Sequence, residues 1–166
     1  MKYIIYNFLL KMLFISLLFS QDIYNGMTLF TPYYTTSGST TFLINNGHDI
    51  IHTWTHVRGP ASMPYLMPDS SIVYPYKVSN PTMNAGGVGG GIQSISWSGN
   101  IIWDYTISDE NYQHHHDICP LPNQNILLIV WERKTAEEAY NKGRQIINNF
   151  INQMWVPAIL ELEPST

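Results

Sequence analysis

From Thr41 onward, large apolar and aromatic residues recur at every second position. In Ile101–Thr106 (IIWDYT), Ile101, Trp103 and Tyr105 fall on one face, and Ile102, Asp104 and Thr106 on the other. The segment DIIHTW puts Ile50, His52 and Trp54 together in the same way. A period of two is what a pleated strand with one face on a core requires. Turn formers separate these runs: Asn46-Gly47, Pro68-Asp69, Ser98-Gly99-Asn100 and Pro122-Asn123 read as tight turns between antiparallel neighbours.

The pieces repeat. TFLINNGHDIIHTW followed by YLMPDSSIVYPY lines up with GIQSISWSGNIIWDY followed by DICPLPNQNILLIVW, with Trp54 and Trp103, and Pro68 and Pro122, as matching landmarks. A repeat of about 50 residues holding four short strands is the signature of a propeller blade. A third copy begins at Val156–Leu162 (VPAILEL). The expected fold class is all-β, a partial β-propeller of about two blades plus the start of a third. Propellers close with about four to eight blades, so the chain is expected to be the amino-terminal part of a longer array.

One region breaks the alternation. Thr135 followed by Glu138 forms a capping box for a short helix over AEEAYNK, with Gly143 as its stop. Ile146, Ile147, Phe150, Ile151 and Met154 then recur at helical spacing. Together they predict a short helical insertion near 135–154, with its apolar stripe packed on the rim of the sheets.

Residues 1–20 are a separate object. Lys2 and Lys11 flank an apolar run, Met12–Phe19, that is too short to span a bilayer, and Ser20 offers a small residue at a cleavage point. This reads as a secretory signal peptide, the alternative being an uncleaved anchor. The domain is then 21–166, secreted or periplasmic, with no stable membrane insertion after cleavage. Losing both lysines leaves six basic residues against twelve acidic ones, a net charge of about −6. No Lys/Arg cluster suggests nucleic acid as a partner. The single cysteine, Cys119, cannot form an internal disulfide and reads as a small buried hydrophobe beside Pro120.

Chemistry concentrates in HHHD, residues 114–117. Imidazole titrates near neutrality and can act as nucleophile, general acid or general base. On a regular strand His114 and His116 point away from His115, so one or two of them face a shared pocket; the bland alternative is a strand cap with Asp117 closing a turn. A zinc site would need further ligands. His48, His52 and His56 are available with nothing to fix their positions, and no metal is expected. The run Gly86-Gly87-Val88-Gly89-Gly90-Gly91 lacks the GK[ST] ending of a phosphate loop and no helix follows it; it reads as close passage of backbone, with positive φ where needed. Arg58, in a loop before Gly59-Pro60, is a candidate for an anionic substrate or else a solvated surface charge.

The succession GGVGGGIQSISWSGNIIWDY, HHHDICPLPNQNILLIVWERKTAEEA and ILELEPST resembles the amino-terminal half of secreted bacterial arylsulfotransferases of the propeller type. The resemblance covers roughly residues 26–166. It departs where that pattern commonly has Asn-Gly-Asn after Leu-Pro, since Asn123, Gln124 and Asn125 stand here. The resemblance implies a six-bladed propeller moving a sulfuryl group from an aryl sulfate to a phenol, without a nucleotide sulfate cofactor, through a sulfated histidine. It implies that His115 and His116 are catalytic, one of them contacting the donor or the phenolate, that Asp117 orients, and that Arg58 is a weak candidate for substrate binding. The remaining site residues would lie beyond Thr166, so the chain by itself is expected to be inactive. The alternative is a non-catalytic extracellular β-propeller binding module.

Overall fold

The structure, a computed structural model, describes residues 24–33 and 39–164; the expected signal peptide, 1–20, lies outside them. Among the described residues ten strands form three antiparallel sheets, none closed on itself. The first holds β1 (Met27–Phe30), β2 (Ser39–Asn45) and β3 (Ile50–His56). The second holds β4 (Tyr65–Leu66), β5 (Ile72–Lys77), β6 (Gly90–Ile95) and β7 (Ile101–Thr106). The third holds β8 (Tyr112–Pro120), β9 (Ile126–Thr135) and β10 (Gln153–Leu162). The all-β expectation is met at this level.

The second sheet is the middle layer. Ile72, Tyr74, Tyr76 and Ile95 pack with Leu43 and Trp54 of the first sheet. Val73 and Ile92 pack with Ile118, Ile126, Leu128 and Val130 of the third. A strand covered on both faces cannot alternate apolar with polar. IVYPY of β5 and all of β6 are accordingly buried along their length.

All four turns read from the sequence have one geometry. Asn45, Met67, Ser96 and Leu121 each donate their N–H to the carbonyl four residues on, and each accepts from the N–H three residues on. The third residue after each is left-handed: His48, Ser70, Gly99 and Gln124 have φ of 65°, 67°, 86° and 70°. This is a type I turn closed by a left-handed residue, a common three-residue hairpin loop. Glycine occupies that conformation freely, whereas a side chain is strained by roughly 1–2 kcal/mol. Gln124→Gly is therefore expected to raise stability by about 0.5–1 kcal/mol, a few degrees in melting temperature by calorimetry.

The shared turns also set the phase of the repeat. Asn45, His48 and Asp49 take the positions of Ser96, Gly99 and Asn100, which aligns Trp54 with Tyr105 rather than with Trp103. Pro68 and Pro122 do correspond, each following the first turn residue. The sequence repeats start on β2 and β6 and end on β5 and β9, so each one spans two sheets. VPAILEL lies within β10, the counterpart of β2 and β6, and pairs along its length with β9. It completes three strands of an existing sheet and opens no new one.

The helix expectation holds for its first half only. Helix α1 (Ala136–Asn141) carries the predicted box: the Glu138 carboxylate accepts from Thr135 N–H (2.7 Å) and hydroxyl (2.9 Å), and Thr135 Oγ1 accepts from Glu138 N–H. Gly143, at φ 93°, ends it. The amphipathic segment expected up to residue 154 is absent: 144–152 is irregular, and Met154 is already in β10. Pairing with β9 takes Gln153 and Met154 into the strand and out of the expected helix. Asn149 reinforces the turn by bonding Gln153 through its carbonyl oxygen and its amide.

Candidate functional site: a histidine pair cradled by glycines

Strand β8 leaves its partner where the histidines stand. It pairs with β9 up to His114–Val130 and resumes at Ile118–Leu128, so three residues of β8 face one of β9. This bulge pairs instead with the glycine run. Gly89 N–H donates to the His114 carbonyl (3.1 Å), His116 N–H donates to the Gly87 carbonyl (2.7 Å), and Val88 bridges His115. His116 is left-handed, φ 56°.

The bulge cancels the alternation that would have separated the rings. His115 and His116, adjacent in sequence, meet through their Nδ1 atoms at 2.7 Å, rings nearly perpendicular. His115 is buried and lies flat on Trp131, 4.1 Å between centroids, whereas His116 is exposed. His114 is fully buried, and its Nδ1 accepts from Gly90 N–H at 3.3 Å.

The glycines fit this packing residue by residue. A Cβ on Gly87 would stand 2.3 Å from the His116 ring, one on Gly89 2.5 Å from His114, and one on Gly91 2.2 Å from Tyr76. Gly87 also has φ 77°. Close passage of backbone, expected from the run, is what it provides.

Burial sets the charge states. It pushes the His114 imidazole down to about 4, with His115 adding to the effect, and it lowers His115 as well, with His116 next in weight. Neither His114 Nε2 nor His115 Nε2 closes a hydrogen bond. Both rings are thus held neutral, next to an imidazole open to solvent.

The other candidates stand apart from the pair. Asp117 accepts from Ser62 Oγ (2.9 Å), Tyr65 Oη (3.2 Å) and Ile118 N–H (2.9 Å), so its carboxylate orients a serine and a tyrosine. Burial and this carboxylate push the Tyr65 phenol up to about 12. Arg58 pairs with Asp104 at 2.8 Å and lies 4.1 Å above the Tyr76 ring, whose hydroxyl donates to Asp104. Tyr76 in turn packs against Gly91 of the glycine run. His52 is stacked on Trp97 and bonded to its carbonyl; His56 is bonded to Thr41 and stacked on Tyr74. No group of three or more metal-ligating side chains occurs among the described residues. Cys119, read as buried, is exposed.

Trp131, Ser62, Tyr65 and Tyr76 were not singled out in the sequence. Of these, Tyr76 has a counterpart in the glycine run: Gly91, whose missing side chain leaves room for its ring. Comparison with protein-family models, curated proteins and solved structures gives no match.

Proposed function

We propose that this chain is part of a β-propeller arylsulfotransferase-like protein, secreted or periplasmic, and supplies the acid–base contact to the phenol during sulfuryl transfer from an aryl sulfate. The observation that carries the reading is the Nδ1–Nδ1 contact between a buried histidine and an exposed one. We place the His115 proton on Nε2, because its Nδ1 is engaged by His116. His115 Nδ1 then accepts from His116 Nδ1–H, and proton exchange with solvent or ligand falls to His116 Nε2. Protonated, His116 Nε2 gives its proton to the departing phenolate as the ester S–O bond breaks. Neutral, it takes the proton of the acceptor phenol as the phenol oxygen attacks sulfur, the new S–O bond forming while the S–N bond to the carrier imidazole breaks. Throughout, His115 holds the ring in place and is kept from taking the charge itself by burial.

This assignment gives the chain the acid–base half of the reaction and leaves the sulfuryl carrier to another imidazole, so phenol binding is the readout. Titration of the chain with 4-nitrophenol is expected to move the His116 Nε2 resonance saturably in nitrogen NMR. His116→Ala should weaken binding at least tenfold with the fold intact. A His116 resonance that stays fixed up to millimolar ligand rejects the proposal. The rival reading, a non-catalytic binding module, draws on Asp117 and Arg58 being engaged away from the pair; binding indifferent to His116→Ala favours it.

A further inference from the structure

The connection from β9 to β10 carries an exposed apolar tip. Beyond α1, the irregular segment 144–152 holds Phe150 at 99% exposure and Ile146 at 69%, with Ile151 half exposed beside them. Nothing among the described residues covers this apolar tip. At its base a cleft of about 610 Å³ opens between α1 and the start of β10, lined by Lys134, Lys142 and Arg144 over Ala139, Met154 and Val156.

The charge there opposes that of the whole. Four of the chain's eight basic residues, Arg133, Lys134, Lys142 and Arg144, lie between Arg133 and Met154, against Glu137 and Glu138, in a chain of net charge −4. Glu138 also lines the cleft, but its carboxylate is held by Thr135. Lys134 is paired with Glu132 at 2.6 Å. Lys142 and Arg144 have no carboxylate partner among the described residues.

We propose that this face docks on a lipid bilayer containing anionic phospholipid: Phe150, Ile146 and Ile151 enter the boundary between headgroups and acyl chains, and Lys142 and Arg144 meet the phosphates. Apolar tip and cationic base are separate observations, and one surface satisfies both. Binding of this kind adds buried apolar area to electrostatic attraction, and each cation near an anionic leaflet strengthens it about fivefold. The docking is superficial and reversible, and it weakens with salt because the attraction falls off within a Debye length.

Cosedimentation of the full chain with vesicles tests this. Vesicles of phosphatidylcholine and phosphatidylglycerol are expected to bind it at least tenfold more tightly than phosphatidylcholine alone, with most of the difference lost in 0.5 M salt. Phe150→Ser should lower partitioning to both vesicle types, and Lys142→Ala with Arg144→Ala should lower binding to anionic vesicles about 25-fold. All three side chains are exposed, so circular dichroism and melting temperature should not change. Equal binding to both vesicle types overturns the proposal, as does Phe150→Ser binding like the unsubstituted protein. Resonances of Lys142 and Arg144 that respond to inorganic phosphate while the protein stays off vesicles also overturn it, and identify a site for free phosphate.

Discussion

Between pH 7 and pH 4 the protein is expected to lose about 6 kcal/mol of stability, with a melting temperature that is level above about pH 7 and falls steeply below pH 6.5. Two buried histidines cause this. Burial pushes both His56 and His114 down to about 4, from an ordinary value of 6.5. Protonating either puts a cation between packed layers. His56 lies against Tyr74, 3.7 Å between centroids, with Nε2 bonded to Thr41 and no acceptor at Nδ1. His114 is pressed against Gly89, with no hydrogen bond at Nε2. Below pH 6.5 the unfolded chain takes up protons that the folded one refuses, so the equilibrium shifts toward unfolding until the folded value near 4 is reached. Each histidine then contributes a loss of about 3 kcal/mol, against a total of roughly 5–15 kcal/mol for an ordinary domain. The Asp69 and Glu138 carboxyls, held below their ordinary range by Ser71 and Thr135, add to the loss only at still lower pH. Calorimetry should show unfolding near pH 5 taking up about two protons. A melting temperature that stays level down to pH 4.5 would rule out this account.

Local signals carried through to the structure, and phase did not. Each hairpin turn is decided by four or five neighbouring residues, so Asn46-Gly47 and Pro122-Asn123 could be placed without knowing what they join. The capping box of Thr135 and Glu138 is local in the same sense. Grouping strands into sheets is a different problem, because a repeat of four strands has no intrinsic starting point. VPAILEL could begin a sheet or extend one, and only its pairing with β9 decides. The same limit applies at the site. Alternation separates His115 from His116 on a regular strand; the bulge that brings them together depends on glycines some 28 residues earlier in the chain, which offer that segment a second partner. Of the stripe from Ile146 to Met154, only Met154 is claimed by pairing with β9, a neighbour to which periodicity is blind.

Gly91→Ala is expected to destabilise the protein by about 2–6 kcal/mol, although it adds one methyl group to a residue in ordinary extended backbone. The added Cβ would stand 2.2 Å from Cζ of Tyr76 and 2.3 Å from its oxygen, distances at which something must move. The Tyr76 ring is fully buried, faces the first sheet among Leu43, Trp54 and Tyr74, and donates its hydroxyl to Asp104. Displacing it breaks that hydrogen bond, removes the surface beneath Arg58 and opens the packing between two sheets. Overpacking of a filled core costs about 1–3 kcal/mol, and loss of a buried hydrogen bond about 1–3 more. The cause can be separated from a general intolerance of β6 by removing the obstacle. Tyr76→Ala alone is expected to cost about 3–5 kcal/mol through the cavity it leaves. Adding Gly91→Ala to that variant should cost little or restore some stability, because the methyl then enters vacant space. The two substitutions should therefore couple by at least 2 kcal/mol in a double-mutant cycle followed by urea denaturation. Additive losses would mean that glycine at 91 is required by the backbone and not by the ring above it. That result would also undercut the same reading of Gly89 against His114 and Gly87 against His116, on which the shape of the histidine site depends.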